Sequence, residues 1–301
     1  MSSHSYISNP KNENIFININ GELFHRSEAK ISVFDSGFLL GDGVWEGIRL
    51  HKSKLVFIED HLDRLYASAQ GISLEIPYSR QNIINEINKV LEKNKMDDDI
   101  HIRLVISRGD KITPYQNPNA NVGPINLVII PEHKKTNPST YTDGITIGRV
   151  PNIRPNESIL NPHYNTLSKL NCILASIEAN TLGYDEGIMN DINGNISTCN
   201  STNLFFIRGG QVITSTGEYC LNGITRGKAI KVCKENKIEY SETNFTFKDI
   251  KDCDEAFVTG TFAGIIPVSK LEDRELKSTS PDSLVNKIRM LYNKEIKNYI
   301  G

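Results

Sequence analysis

Apolar and polar positions along the first 130 residues follow two different periods, which predict a mixture of strands and helices. From Ile15 to Ile19 the chain alternates as a half-buried strand does, and Asn20-Gly21 follows with the residues of a type I′ turn that leads into a return strand. Elsewhere apolar residues recur every three or four positions, the spacing of an amphipathic helix, and Ser79 stands where it would cap the second such segment. The predicted elements are strands over 15–19, from 23, over 100–107 and over 125–130, and helices over 58–69 and 79–91.

The second half of the chain shows the same mixture and follows a polar stretch rich in turn-forming residues. This stretch, 131–144, is the candidate linker between two domains. The elements predicted beyond it are a strand over 145–150, a helix from about 166 to 182 that ends at Gly183, a hairpin through Gly209-Gly210, a helix after Gly223, a strand after Asp254 and a last amphipathic helix through 285–292. The expected fold is mixed α/β, with a smaller domain over 1–133, a linker over 134–144 and a larger domain over 145–301.

Composition and charge narrow the class of protein. With 34 Lys and Arg against 36 Asp and Glu the formal net charge is −2, and no basic block is present, which argues against a nucleic-acid partner. No apolar run is long enough to cross a bilayer, and residues 1–14 lack the apolar core of a signal peptide. The five cysteines include no CxxC pair, so neither a disulfide framework nor a metal site is expected. We therefore expect a cytoplasmic protein, not bound to membranes, with the size and composition of an enzyme.

The short motifs of the chain are weak signals one at a time, but their order and spacing are specific. The ordered segments are Gly37–Arg49, His61–Leu65, Ile102-Arg103, Ser107–Gly109, Gly183–Gly187, Ser201–Phe205, Gly223–Arg226, Asp254–Phe257 and Ile266–Val268. In this order the chain resembles the class IV aminotransferases, the pyridoxal-phosphate enzymes of fold type IV, which include branched-chain and D-amino-acid aminotransferases and aminodeoxychorismate lyase. The resemblance runs from about Ile15 to the final helix.

The resemblance implies two domains with a phosphorylated cofactor between them, usually in a homodimer. It assigns the cofactor phosphate to Arg64, to the Ile224-Thr225 turn and to Thr261. A guanidinium group, the free N–H groups of a helix start and a hydroxyl group are suited to hold a dianion. The ligand that these residues imply is pyridoxal 5'-phosphate or pyridoxamine phosphate, bound non-covalently, or another phosphorylated small molecule. Taken without the family, Arg64 is equally typical of a solvated helix arginine.

At the position of the family's catalytic lysine this chain has asparagine. That lysine forms the internal Schiff base and moves a proton between the substrate and the cofactor. In the register of the D-amino-acid enzymes it stands eight residues before an apolar triplet, here Ile173–Ala175, which places Asn165 at the site. The branched-chain register places Tyr164 there. An amide forms no imine and exchanges no proton near neutral pH. The alternative role for Asn165 is an ordinary helix N-cap.

A second, independent departure concerns the pyridine nitrogen of the cofactor. The family has I-S-E-G before its S-x-N-L-F segment, and that glutamate keeps the nitrogen protonated. Here the stretch is Ile196–Cys199, so Thr198 takes the place of the glutamate. A hydroxyl group can hydrogen-bond the nitrogen but supplies no negative charge to hold its proton.

Lys169 is the lysine that remains near the altered position. It falls where the family has a Tyr or Arg that faces the cofactor's O3′. We prefer a contact between its ammonium group and a ligand oxygen. A solvated helix lysine is the next alternative, and a displaced Schiff base at Lys169 is the last.

The substrate side keeps the family pattern only in part. Arg103 matches an arginine that lies near the substrate carboxylate in branched-chain enzymes, whereas His101 replaces a tyrosine and Trp45 replaces a pocket Phe or Tyr. The backbone at Phe262 would offer N–H groups to a carboxylate. The resemblance therefore implies recognition of a small carboxylate and leaves the side-chain specificity open.

Three functions follow from this combination of retained and altered residues. The first is an altered enzyme that acts on an amino-acid-like or phosphorylated small molecule without a normal internal aldimine, with Lys169 or His101 as proton carrier. The second is a residual pyridoxal-phosphate-dependent transaminase that uses Lys169 or free cofactor, which the loss of two catalytic groups makes slow. The third is a non-catalytic pseudoenzyme that only binds the ligand.

Overall fold

The computed structural model describes residues 6–301 and contains helices and strands in alternation. Its α-helices are α1 (Ser36–Leu40), α2 (Ile58–Gly71), α3 (Arg80–Asn94), α4 (Ser139–Thr142), α5 (Leu170–Thr181), α6 (Ile224–Glu235), α7 (Phe247–Ile250) and α8 (Leu284–Ile300). Its strands are β1 (Tyr6–Ile7), β2 (Phe16–Ile19), β3 (Glu22–His25), β4 (Gly43–His51), β5 (Lys54–Val56), β6 (Ile100–Ser107), β7 (Asn126–His133), β8 (Lys135–Thr136), β9 (Ile145–Ile153), β10 (Glu186–Asn190), β11 (Ile196–Cys199), β12 (Asn203–Arg208), β13 (Gln211–Thr214), β14 (Tyr240–Glu242), β15 (Glu255–Gly260), β16 (Gly264–Leu271) and β17 (Arg274–Glu275).

The first half of the chain builds a six-stranded sheet in the order β3-β2-β7-β6-β4-β5. Alternate residues of β6, Ile100, Ile102 and Leu104, are completely buried in a core that also contains apolar residues of α2 and α3. The residues between them, His101 and Arg103, are only half-buried because they point to the opposite face. That second face of the sheet is one wall of the candidate site.

The second half builds a nine-stranded sheet in the order β11-β10-β9-β16-β15-β12-β13-β14, with β17 beside β16. Two apolar cores lie on it, and one of them joins this sheet to α6 and α8. In that core Phe205 and Phe257 stack with their ring centroids 4.6 Å apart. Strands β15 and β16 form a hairpin whose turn, residues 261–263, points toward the first sheet.

The local predictions are confirmed where the sequence itself carries the signal. Asn20 and Gly21 both have positive φ, 54° and 88°, and connect β2 to β3 as a two-residue hairpin. Ser79 accepts a hydrogen bond from the backbone N–H of Asn82 and caps α3. The hairpin through Gly209-Gly210 joins β12 to β13.

The predicted start of the helix near residue 166 is wrong, because α5 begins at Leu170 and its N-cap position is Lys169. Asn165 is therefore not a helix N-cap. Residues 165–167 instead follow the free edge of β4, where the Trp45 N–H donates to the Asn165 carbonyl at 3.0 Å and the Leu167 N–H donates to the Gly43 carbonyl at 2.9 Å. That edge is open because β5 pairs only with Arg49–His51 of β4.

The chain passes between the two sheets through residues 134–144, which are not a plain loop. They contain β8, which pairs with β1, and the short helix α4. The Tyr141 hydroxyl donates to the Ala263 carbonyl at 2.8 Å and ties this segment to the second sheet. The division into two domains at this segment stays a prediction. Within residues 6–301, no helix has both the length and the apolar character needed to span a bilayer.

Candidate functional site

A cavity of about 150 Å³ lies between the two sheets, and both halves of the chain line it. Nine of the eleven site residues predicted from the sequence are on its wall: Trp45, Arg64, His101, Arg103, Asn165, Ile224, Thr225, Thr261 and Phe262. Lys169 and Thr198, the other two, are not. A wider surface groove of about 600 Å³ over α2, lined by residues such as Tyr66 and Arg80, contains none of the eleven.

One end of the cavity is built to receive an anion. Helix α6 begins there, and no side chain caps its N-cap residue Gly223, so the first N–H groups of the helix are available to a ligand. The Thr259 hydroxyl, on the same wall, is buried and has no hydrogen-bond partner. A buried hydroxyl group without a partner is costly, and an oxygen atom of a bound phosphate would satisfy it.

Arg64, on α2, reaches this end from a buried carboxylate. Its Nε and one terminal nitrogen donate to the two oxygens of Glu46, both at 2.7 Å, and its other terminal nitrogen donates to the Asn222 carbonyl at 3.3 Å. His61 Nδ1 lies 2.7 Å from the same carboxylate. Burial alone would raise the pKa of Glu46, but Arg64 and then His61 outweigh it and hold that pKa below its ordinary value. Glu46 fixes the guanidinium group, which leaves one edge for a ligand.

Asn165 is held at both ends of its amide group. Its Nδ2 donates to the Trp45 carbonyl at 2.7 Å, and its Oδ1 accepts from the Lys169 ammonium group at 3.1 Å. The backbone N–H of Asn165 donates to Ser68 Oγ at 3.0 Å. These bonds fix the side chain against the cavity wall, where it offers neither an amine nor a titratable group.

Lys169 lies behind Asn165, in a much smaller space of about 20 Å³ that Arg154 and Cys172 also line. Because the side chain is half-buried and hydrogen-bonded, Lys169 is not a solvated helix lysine. Burial is the main cause that lowers the pKa of its ammonium group to about 8, and the positive charges of Arg154 and Arg64 act in the same direction. A substantial fraction of Lys169 is therefore neutral near pH 8.

Thr198 lies beneath the wall and not on it. Its hydroxyl donates to the Thr202 carbonyl at 2.7 Å, within the turn between β11 and β12. Asn203 occupies the wall at this place and donates through Nδ2 to the Leu221 carbonyl at 2.9 Å. The hydroxyl proton of Thr198 is thus already used inside the protein.

The opposite end of the cavity is aromatic and basic. The Arg103 guanidinium group lies 3.7 Å above the centre of the Trp45 ring. His101 meets Phe262 edge-on, with ring centroids 5.8 Å apart. This end can bind a ligand through a flat aromatic surface and a positive charge.

Other residues of the wall were not singled out by the sequence reasoning. Ser201 and Asn203 belong to a motif that helped to define the family, and their individual positions could have been taken from it. Thr259 precedes Thr261 in the same hairpin. Lys134 gave no signal, because it stands in the polar stretch that was assigned to the linker.

The fold and the cavity together define an α/β protein with an anion-binding site between two sheets. Residues 43–271 match the family described as amino-transferase class IV. The chain belongs to the class IV aminotransferase family.

Two relatives show how far the similarity extends. The chain is 35% identical to branched-chain-amino-acid aminotransferase-like protein 2 of Arabidopsis thaliana over 95% of its own length, but it spans only about half of that relative, 51%. It is 34% identical to a putative branched-chain-amino-acid aminotransferase of Methanocaldococcus jannaschii, over 91% of this chain and 93% of that protein.

Among solved structures, the chain is similar to the branched-chain aminotransferase of the thermophilic archaeon Thermoproteus uzoniensis with norvaline. The TM-score is 0.84 at 26% identity, with 95% of this chain and 96% of that chain covered. The fold is therefore the mixed α/β fold of the fold type IV aminotransferases, as predicted. Homologues in the family bind pyridoxal phosphate or pyridoxamine phosphate and small-molecule substrates.

Proposed function

We propose that this chain binds pyridoxal phosphate or pyridoxamine phosphate non-covalently and acts on an amino-acid-like or phosphorylated small molecule without a covalent link to a lysine. The observation that carries the proposal is Asn165. Its amide lies on the cavity wall at the family's lysine position and is fixed by Trp45 and Lys169. No rotation of this side chain would supply an amine.

The phosphate end of the cavity fits the proposed ligand. The start of α6 and the unpartnered Thr259 hydroxyl form a cage with the free edge of Arg64. When bound, the pyridoxal group supplies a ring that accepts electrons from the substrate. The protein does little to strengthen that property, because Thr198 gives its hydroxyl proton to the Thr202 carbonyl and brings no negative charge. We expect binding to be retained and ordinary transamination to be weak.

A residual transaminase is the second candidate, and Lys169 is the observation that favours it. Its pKa of about 8 leaves part of the amine neutral and reactive at physiological pH. To reach a ligand, however, the amine would have to leave the Asn165 amide and pass it, since Lys169 does not line the cavity. Binding of the cofactor without any turnover would instead identify the protein as a pseudoenzyme.

Replacing Thr259 with valine tests the phosphate cage with a change of almost equal shape. We expect the dissociation constant for pyridoxamine phosphate to rise by about 10- to 100-fold, the size of a hydrogen bond to a charged group. Stability should stay the same or rise slightly, because the hydroxyl has no partner within the described part of the chain. Isothermal titration calorimetry and thermal unfolding measure the two effects.

Thr140→Val is the matched control, since the Thr140 hydroxyl is also buried and unpartnered but lies in α4, outside the cavity. This variant should bind pyridoxamine phosphate as the wild type does. Equal affinity of the Thr259 variant and the Thr140 variant would contradict the assignment of the phosphate to this end. Complete absence of binding in the wild type would contradict the proposed cofactor.

We also propose that a second copy of the chain packs on α5. Four apolar residues of this helix, Leu170, Ile173, Leu174 and Ile177, share one face and are each about half exposed or more. Such a contiguous apolar stripe marks an interaction surface in most proteins. Because α5 follows directly on Lys169, the copy would lie close to the site.

Ile173→Asp combined with Ile177→Asp should shift the protein from dimer to monomer in sedimentation velocity. Two buried carboxylates without partners make the interface unfavourable. The control is Met290→Asp, which changes an exposed apolar residue of α8 and should leave the dimer intact. A wild type that sediments as a monomer at micromolar concentration would contradict this proposal.

The compartment that we propose is the cytoplasm. All five cysteines are free thiols, and four of them are buried. Burial raises the pKa of the Cys199, Cys233 and Cys253 thiols, which keeps them unreactive. Free buried cysteines suit a reducing environment.

A further inference from the structure

Two cationic side chains at the outer end of the cavity form no ion pair with any residue in 6–301. The Arg103 guanidinium group is stacked on Trp45. The Lys134 ammonium group lies 4.6 Å from the centre of the Phe262 ring and 4.9 Å from that of Tyr6. Both side chains thus have aromatic faces, and not carboxylates, as their close neighbours.

The placement of Lys134 follows from the geometry of the first sheet. In the antiparallel pair of β6 and β7, Glu132 stands opposite His101. Alternate residues of a strand share a face, so Lys134, two positions after Glu132, continues on the face of His101 and Arg103. Its backbone N–H donates to the Asp99 carbonyl at 2.8 Å, which extends the strand geometry by one residue.

The charges at this end do not balance. Arg103 and Lys134 bring two positive charges, and Glu132 is the nearby carboxylate whose charge acts on both. One positive charge is left over. Burial is the main cause that lowers the pKa of both cations, so a further negative charge would relieve the cost of their burial.

We propose that Lys134, with Arg103, forms a subsite for a carboxylate on the side group of the substrate, so that the cavity prefers acidic amino-acid-like ligands to aliphatic ones. The inference rests on the proposed function, in which the phosphate cage takes the other end of the cavity. It makes Lys134 a specificity-determining residue. An ammonium group held between aromatic faces discriminates against a purely apolar side group, which would leave it buried and unpaired.

Trp45 provides the measurement, because it is the one tryptophan of the 301 residues and it stacks on Arg103. Its fluorescence can follow titrations with glutarate and with 4-methylpentanoate, which share a carboxylate and differ at the other end. We expect the wild type to bind glutarate at least about tenfold more tightly. Lys134→Met should lose about tenfold in glutarate affinity and keep its affinity for 4-methylpentanoate.

Lys135→Met is the control, since Lys135 is the neighbouring lysine but is exposed and pairs with Asp99 at 3.4 Å. It should bind both acids as the wild type does. Lys134→Gln provides a second variant of smaller apolar bulk, and circular dichroism verifies the fold of each protein. A Lys134→Met or Lys134→Gln protein with wild-type affinity for glutarate, or a wild type that prefers 4-methylpentanoate, would overturn the proposal.

The same proteins titrated with pyridoxamine phosphate separate this inference from the proposed function. Failure to bind pyridoxamine phosphate while the preference for glutarate persists would contradict the cofactor and support the subsite. Normal binding of pyridoxamine phosphate without a preference for glutarate would contradict the subsite alone.

Discussion

Asn165→Lys combined with Thr198→Glu is expected to restore ordinary transamination to this chain. General acid–base groups contribute about 10²–10⁴-fold each to an enzymatic rate, so the double variant should exceed the wild type by several orders of magnitude. Asn165 is on the cavity wall, so a longer side chain there would point into the cavity. The glutamate would supply the charge that Thr198 lacks. The half-reaction of pyridoxal phosphate with L-leucine, L-glutamate and D-alanine, followed by absorbance, measures the gain.

The single variants divide the effect between the two positions. Asn165→Lys alone should gain a covalent link to the cofactor but react slowly, whereas Thr198→Glu alone should gain little. Adding Lys169→Met to the double variant should leave the restored rate unchanged, because Lys169 lies outside the cavity. A double variant that is as inactive as the wild type would show that more than these two groups separates the chain from its relatives.

Arg64→Met is expected to have the largest effect on stability of the changes considered. It removes the bidentate partner of Glu46, a carboxylate with no solvent exposure. Removing one partner of a buried ion pair costs about 3–5 kcal/mol in the free energy of unfolding. Affinity for pyridoxamine phosphate should also fall by about 100-fold, since the guanidinium edge is lost. Urea denaturation and calorimetry measure the two losses.

Adding Glu46→Gln to Arg64→Met separates the two roles of the arginine. The double variant no longer buries an unpaired charge, so it should recover part of the stability but none of the affinity for pyridoxamine phosphate. Recovery of both would mean that Arg64 acts on the ligand only through the fold. Recovery of neither would contradict the role assigned to the Glu46 pair.

The same pair makes acid stability a test of Glu46. Its pKa is lowered in the folded protein from 4.5, so its stabilising contribution is present above the unfolded-state value and is lost as the pH falls through the lower folded-state value. Glu46→Gln should therefore flatten the decline of stability below about pH 4.5.

The sequence predicted best what neighbouring residues decide among themselves. The hairpins at Asn20-Gly21 and Gly209-Gly210 and the Ser79 cap need only local chemistry. The start of α5 was placed four residues early because the competing partner of residues 165–167, the free edge of β4, is about 120 residues away in the chain. No periodicity within the segment reveals such an edge.

The candidate site shows the same division. Residues that belong to ordered motifs, such as Arg64 and Thr225, were found because the family fixes their positions, and the cavity brings them together. Thr198 was matched to the right position in the strand, but whether its hydroxyl faces a ligand depends on the turn that follows, and there it donates to Thr202. Lys134 was missed because a lysine in a polar stretch looks like a solvated residue until the sheet register places it.

The central claim is that this chain binds its cofactor without a covalent link to a lysine. The most direct test incubates the wild type with equimolar pyridoxal phosphate, reduces with borohydride and maps the peptides by mass spectrometry. We predict that dialysis before reduction removes the pyridoxal phosphate and that no reduced adduct forms on the peptide that contains Asn165 and Lys169. A stoichiometric adduct on Lys169 that excess pyridoxamine phosphate prevents would contradict the claim.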